Sequence, residues 1–263
     1  MPQPNQITQT QLLRLIGTPD APTLVDVRIP EDLARDPRLI PGSILRAHDQ
    51  FSAANLTGRV VVICAKGRKL SEGVAALLRT QGIPAEVLEG GSVAWAEAGL
   101  PMVPIAHLPP TNLWVTRHRP KIDRIACPWL IRRFIDPGAR FLFVAPSEVA
   151  AVAERFNATA FDIEDTLFSH RGDACTFDTM LDHWCLQTEA LDRLALVVRA
   201  ADTDRHDLSP QAAGLLAISV GLSRQYRDDL DQLAVGMTLY DALYRWARDG
   251  QDEGHNWPAG RAP

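Results

Sequence analysis

The chain is 263 residues long, 46% hydrophobic and 22% charged, with 27 Lys+Arg, 32 Asp+Glu and a formal charge of −5. Such an apolar fraction excludes wholesale disorder, the length favours two domains, and no apolar run approaches the roughly 20 residues of a membrane span. Four scattered cysteines, Cys64, Cys127, Cys175 and Cys185, are too few for a disulfide framework. The first six residues lack the basic and apolar blocks of a signal peptide, so a reduced, cytoplasmic setting is expected. The acidic balance argues against generic nucleic-acid binding unless basic residues are concentrated in one place.

Strand signals come first at residues 23–27 and again at 60–63, Val-Val-Val-Ile. A helix over 71–81, closed by Gly82, leads to a third strand at 85–88. Short buried strands alternating with helices predict an α/β half with a mainly parallel sheet, its chemistry at the carboxyl ends of strands. Residues 101–113 then carry four prolines and no charge. Proline removes amide donors and favours extended backbone, so the chain is expected to divide here, into 1–105, a linker at 106–113, and a second domain at 114–249. Residues 1–105 hold 10 Lys+Arg and 10 Asp+Glu; the remainder holds 17 and 22, which is the whole −5.

The second half reads as mainly helical with a few short strands, at 141–144 and 160–163. Asp123 is placed to cap a helix through Phe134, stopped by Asp136-Pro137-Gly138. Further helices are expected at 147–156, 177–185, 189–201, 210–222 and 229–248, with Ser209-Pro210 a start signal. Residues 250–263, polar and rich in Gly and Pro, are expected to form a tail.

Directly after the second strand stands Cys64-Ala65-Lys66-Gly67-Arg68-Lys69. A cysteine between a strand end and a helix N-terminus faces converging amides and the positive end of the helix dipole. Lys66, Arg68 and Lys69 add positive charge, and Gly67 allows a tight turn. Each feature favours a nucleophilic thiolate. The plainer reading is a buried strand-end cysteine followed by a basic solvated turn.

The wider pattern resembles a single rhodanese domain, the sulfurtransferase family that carries sulfur as a cysteine persulfide, over residues 8–103. The matching stretches are Leu24-Val25-Asp26-Val27-Arg28, Ile40-Pro41-Gly42-Ser43-Ile44, Val61-Val62-Ile63-Cys64 with its loop, and Leu88-Glu89-Gly90-Gly91-Ser92-Val93-Ala94-Trp95. The resemblance implies that Cys64 carries the persulfide, that the amides of residues 65–69 cradle the outer sulfur, and that Asp26 and Arg28 form a structural pair. It requires no cofactor, only a small-molecule or protein sulfur donor and a thiol acceptor. Ala65 and Lys69 stand where the family commonly has arginine. Lysine lacks the planar fork that grips a sulfonate, so thiosulfate is expected to be a poor donor and a persulfide a better one. The compact loop suits sulfur transfer better than phosphate-ester chemistry.

In the second half, six Lys and Arg lie between Arg117 and Arg133 against one acid, Asp123. Arg117, Arg119, Lys121 and Arg124, with Cys127 in the early turns of the helix, could receive an oxyanion such as sulfate, phosphate or chromate. The alternatives are a basic face paired with the acidic remainder of the domain and a Cys127 packed in the core. His170, Asp173 and Cys175 share one loop, and Asp202, Asp204, His206 and Asp207 another. His170, Asp173, Asp202 and Asp204 are candidate ligands for Zn, Fe or Mn, whereas acids between helices also serve as caps. No spacing matches a zinc finger or a His-Glu-x-x-His helix.

Residues 113–249 resemble the C-terminal domain of the chromate resistance family ChrB. The stretches that carry the likeness are Arg119-Pro120-Lys121-Ile122-Asp123-Arg124-Ile125-Ala126-Cys127-Pro128-Trp129, His170-Arg171-Gly172-Asp173-Ala174-Cys175-Thr176-Phe177, Ala200-Ala201-Asp202-Thr203-Asp204-Arg205 and the segment 209–219. The likeness implies an association with chromate resistance and a chromate-responsive role, with a rhodanese-like half in place of the family's usual N-terminal portion. Together these readings predict a two-domain sulfurtransferase with Cys64 as nucleophile. The rival is a metal- or oxyanion-binding enzyme or sensor of the chromate response, in which the rhodanese half docks or senses; a regulatory partner of that response is a further rival.

Overall fold

The computed structural model describes residues 5–49, 52–54, 56 and 58–254. Its first half runs β1 (Gln6–Ile7), α1 (Gln9–Leu15), β2 (Thr23–Asp26), α2 (Pro30–Arg35), β3 (Arg38–Leu39), β4 (Ser43–Leu45), β5 (Val60–Ile63), α3 (Lys69–Thr80), β6 (Ala85–Leu88), α4 (Gly91–Glu97) and β7 (Val103–Pro104). Five of these strands form one sheet in the order β1-β6-β5-β2-β4, with every pairing parallel. β5 holds the centre because its four side chains, all β-branched, are fully buried. A strand covered on both faces needs apolar residues at every position, which is what Val-Val-Val-Ile supplies. The N-terminus of α1 is a capping box between Thr8 and Gln11, a signal the strand-centred sequence reading passed over.

The second half continues with β8 (Leu113–Arg117), α5 (Asp123–Leu130), β9 (Arg140–Val144), α6 (Val149–Phe156), β10 (Thr159–Ala160), α7 (Thr176–His183), α8 (Glu189–Asp202), α9 (Ala212–Gln225) and α10 (Asp229–Asp249). Its three strands form a second parallel sheet, β10-β8-β9. The strand expected at 141–144 is present as β9, whereas of the one expected at 160–163 only Ala160 lies in a strand, the two-residue β10. The central strand β8 is additional. Its Trp114, Val115 and Thr116 are fully buried, and the arginines that follow disguise it in the sequence as a basic segment.

Two expectations are corrected here. The helix from Asp123 is α-helical only to Leu130 and continues as one π turn over Ile131–Ile135; Pro128, inside the helix, withholds an amide from the regular ladder. The Ser209-Pro210 start signal lies before the helix: α9 begins at Ala212, and the Ser209 hydroxyl bonds Gln211 Oε1 at 2.8 Å rather than capping. The proline-rich linker expected at 106–113 is packed where it enters and at His107. β7 pairs antiparallel with β3, a 3-10 turn follows at Ile105–His107, and His107 Nδ1 donates to the His183 carbonyl at 2.5 Å.

The two halves share one hydrophobic core. Ile7, Leu12, Leu24, Ile63 and Trp95 from the first belong to the same buried cluster as Trp114, Trp129, Phe134 and Tyr240 from the second. The Gly42 amide donates to the Phe134 carbonyl at 2.5 Å. At Gly17 (φ +81°), a Cβ would stand 2.4 Å from the Phe134 ring, so only glycine permits this approach. Of the expected tail, residues 255–263 lie outside the described residues. No helix among the described residues is long and apolar enough to cross a membrane.

Candidate functional site

Cys64 lies where β5 hands the chain to α3, at the carboxyl edge of the parallel sheet. Its side chain is buried, with 6% of the residue exposed. The Arg68 amide donates to Sγ at 3.4 Å, and Ser71 Oγ stands 3.1 Å from the same sulfur. Ser71 is fully buried and its hydroxyl also reaches the Arg68 carbonyl at 2.9 Å. The loop is braced from outside: the first amides of α4, Ser92 and Val93, donate to the carbonyls of Cys64 and Ala65, each at 3.0 Å. The Arg68 carbonyl also faces the sulfur and accepts from the Cys64 thiol at 3.6 Å. Among the expected cradle amides of residues 65–69, the one bonded to Sγ is that of Arg68.

Two glycines make this packing attainable. A Cβ on Gly67 (φ +62°) would come within 2.3 Å of the Leu88 carbonyl, and one on Gly91 (φ +63°) within 2.2 Å of the Cys64 carbonyl. Lys66, Arg68 and Lys69 are exposed around the loop, while Ala65 is half-buried. Asp26 and Arg28 form a pair at 2.8 Å with both side chains essentially inaccessible. Arg28 also donates to the carbonyls of Asp36 and Arg38, so the pair ties the segment before β3 to the end of β2.

A second constellation lies in the other half. His170 Nε2 stands 3.1 Å from Asp202 Oδ2, 3.4 Å from Asp162 Oδ1 and 3.5 Å from Asp123 Oδ2. Asp162 follows β10 and Asp123 opens α5 after β8, so both sit at the carboxyl edge of the second parallel sheet. Asp123 accepts from the Thr176 and Phe177 amides at the start of α7, and the Thr176 hydroxyl donates to Asp162 Oδ1 at 3.0 Å. Burial pushes the Asp123 carboxyl up, partly offset by the neighbouring His170. Burial and the neighbouring Asp123 and Asp162 raise Asp202 to about 7. The neighbouring carboxylates of Asp123 and Asp162 raise His170 to about 10. Burial pushes Asp162 up as well, but His170, Arg117 and Arg124 outweigh it and hold the carboxyl below its ordinary value.

This grouping revises the ligand set expected from sequence. His170 and Asp202 belong to it; Asp173 and Asp204 do not. Asp173 lies on a separate cleft with Asp178, Asp182 and Arg199. Asp204 is 93% exposed, 3.6 Å from His206 Nε2. Asp123 and Asp162 take their places, one read from sequence as a helix cap and the other as a strand residue. The missed signal is positional: both follow strands of a parallel sheet, where the polar groups of such sheets converge.

The basic segment does not assemble into an anion site. Arg117 and Arg124 pair with Asp162 at 2.9 and 3.2 Å. Arg119 turns its guanidinium to the carbonyls of Ser223 and Tyr226. Arg133 forms a two-pronged pair with Asp241, and Lys121 is exposed. Cys127 and Cys175 are fully buried, and burial pushes both thiols well up. Cys127 therefore belongs to the core rather than to a reactive site, and Cys185 is exposed.

Comparison with known proteins agrees with this division. The family model for the ChrB C-terminal domain matches residues 114–247, and that for a rhodanese-like domain matches residues 8–98. Protein ChrB of Cupriavidus metallidurans is 35% identical over 135 residues, which is 50% of this chain and 39% of that protein. The chain thus spans about two fifths of the length of the curated relative it matches. Among solved structures, a rhodanese-like domain protein from Staphylococcus aureus is 30% identical over 35% of this chain and 90% of its own, with a TM-score of 0.29. A thiosulfate sulfurtransferase from Pseudomonas aeruginosa is 27% identical over 39% of this chain and 20% of its own, with a TM-score of 0.31. The chain belongs to the ChrB C-terminal domain family and carries a rhodanese-like domain ahead of that domain.

Proposed function

We propose that the chain is a sulfurtransferase in which Cys64 alternates between a free thiolate and a persulfide. The observation that carries this reading is the placement of Cys64 Sγ between the Arg68 amide and Ser71 Oγ, within a loop whose exposed side chains are cationic. The thiolate attacks the sulfane sulfur of a donor; a new S–S bond forms, the donor's S–S bond breaks, and its electron pair leaves with the departing thiolate or sulfite. An acceptor thiolate then attacks the outer sulfur and returns the electron pair to Cys64. Hydrogen-bond donors aimed at the sulfur stabilise the charge that develops on it. With only 6% of Cys64 exposed, the reacting sulfur must protrude from its donor, as a persulfide does. Transfer of this kind requires no cofactor. The test is intact mass after treatment with a low-molecular-weight persulfide. A gain of roughly 32 Da (one sulfur atom) on Cys64 is expected, absent in Cys64→Ser. A Cys64→Ser variant that transfers sulfur at the wild-type rate overturns the reading.

The match of residues 114–247 to the ChrB C-terminal domain favours a second reading, in which the chain serves the chromate response as a sensor or regulatory partner and the rhodanese-like half docks or senses. Chromate binding to the purified chain, or promoter DNA binding that weakens on adding chromate, supports it; neither at low salt removes it.

A further inference from the structure

We propose that Asp123, Asp162, His170 and Asp202 form a binding site for one divalent first-row transition ion: manganese, iron or zinc. The donors come from four separate segments, namely the start of α5, the turn after β10, the loop before α7 and the end of α8. They converge on one nitrogen, His170 Nε2, with Asp202, Asp162 and Asp123 oxygens at 3.1, 3.4 and 3.5 Å. A ring nitrogen carries at most one proton, and a single N–H serves one acceptor well. Two of the three oxygens also stand beyond good hydrogen-bond range. Hydrogen bonding therefore does not account for three carboxylates around one nitrogen.

An ion does account for them. With bonds of about 2.1 Å, the ligands of a tetrahedral ion stand about 3.4 Å from one another, and the three carboxylate oxygens stand 3.1 to 3.5 Å from His170 Nε2. The contributing atoms of Asp123, Asp162 and His170 all lie within 4.8 Å of one another.

Charge and support point the same way. Arg117 and Arg124 are already directed at Asp162, which leaves Asp123 and Asp202 sharing the imidazole as their nearest cationic partner. Asp123 is 1% exposed and Asp202 19%, and buried carboxylates are retained where they are paired or hold a metal. The carboxylates are held from behind: Thr176 binds Asp162 through its hydroxyl and Asp123 through its amide. Such outer bonds orient ligands at metal centres. Three hard oxygens and one imidazole suit manganese, iron or zinc better than a thiophilic ion. On binding, the ion takes the Nε2 lone pair and the ring's Nε2 proton is released to solvent.

The experiment is a titration of the chelator-treated full-length chain with Mn(II), followed by the loss of the free aqua-ion resonance signal. One ion per chain is expected. His170→Ala and Asp202→Asn should each weaken binding by at least roughly tenfold. Asp173→Asn and Asp204→Asn, outside the group, should not change it. His170 is partly exposed and lies on a loop, so its variant is expected to fold, which circular dichroism verifies. No uptake of Mn(II) or of Zn(II), uptake unchanged in His170→Ala and Asp202→Asn, or uptake lost only in Asp173→Asn or Asp204→Asn overturns the assignment.

Discussion

Ser71 Oγ lies 3.1 Å from Cys64 Sγ, seven residues further along the chain and fully buried in the first turn of α3. The hydroxyl has two acceptors within reach, the sulfur and the Arg68 carbonyl at 2.9 Å. When the sulfur is a thiolate, the hydroxyl proton can turn toward it; when it is a thiol or persulfide, the proton can return to the carbonyl. Ser71→Ala removes that donor and leaves the Arg68 amide alone. We expect native-state alkylation of Cys64 by iodoacetamide at neutral pH to slow by roughly tenfold, the worth of one hydrogen bond to a charged group. An unchanged alkylation rate would leave Ser71 a packing residue only.

Gly91 tests the brace between α4 and the loop. A methyl group there meets the Cys64 carbonyl at 2.2 Å, the Gly67 amide nitrogen at 2.6 Å and the Ala65 carbonyl at 2.7 Å, all backbone atoms that cannot swing aside. Gly82 has a similar φ of +77° with nothing within 4 Å of its Cβ position. Gly82→Ala should therefore cost only the left-handed strain, about 1–2 kcal/mol. Gly91→Ala should cost about 2–4 kcal/mol by denaturant unfolding, the strain plus overpacking. Equal losses in the two variants would show that the contact with the loop carries no energy.

The Asp26–Arg28 pair is inaccessible on both sides, so removing one partner strands a buried charge. Asp26→Ala should destabilise the chain by about 3–5 kcal/mol. Arg28→Lys retains the charge but cannot reach the Asp36 and Arg38 carbonyls while holding Asp26. It should lose stability despite its formal conservatism. A chemical melt in which either variant matches the parent would remove the pair's structural role.

His107 and His183 stack with ring centroids 4.6 Å apart, each ring nitrogen facing the other residue's carbonyl. Burial, followed by the neighbouring His107, lowers the affinity of His183 for a proton, and Arg171 acts in the same direction. A group depressed from its ordinary 6.5 in the folded state contributes stability that is complete above that pH. The contribution is lost as pH falls through the lower folded value. Thermal midpoints should therefore fall from about pH 6.5 downward, and the fall should be shallower in His183→Asn. Identical slopes in the two proteins would place the acid sensitivity elsewhere.

Thiol reactivity should separate the loop and surface cysteines, Cys64 at 6% exposure and Cys185 exposed, from the fully enclosed Cys127 and Cys175. Cys64 and Cys185 should take up an alkylating reagent in the native state, whereas Cys127 and Cys175 should react only on unfolding. Peptide mass mapping after a brief iodoacetamide exposure separates the two classes. Modification of Cys127 before loss of structure would contradict its place in the core.

Much of the rhodanese-like half was legible because its signals are local. Val60–Ile63 carries its burial in its composition, and the step from strand to Cys64 to helix needs only adjacent residues to be read. The same locality located α7, α8 and α10 within about a turn. The central strand β8 escaped because its partners, β9 and β10, are far along the chain, and a five-residue strand followed by arginines has no local mark. The proposed ligand set was half legible for the same reason. His170 and Asp202 advertise themselves in polar loops, whereas Asp123 and Asp162 look like a cap and a strand residue until the sheet brings their carboxylates to His170.

The order of residues alone therefore marked Cys64 and its loop as the candidate site and determined the division into an α/β half and a mainly helical half, since each rests on neighbours within a few residues. Tertiary structure decided what the charges do. Six basic residues between Arg117 and Arg133 looked like an anion site, yet packing directs Arg117 and Arg124 to one buried aspartate and Arg119 to distant carbonyls. It also decided that the two halves share one core, because apolar residues on both sides expose more surface to water apart than together. Burial and pairing are set by which surfaces meet in space, and a sequence of charges does not state its partners.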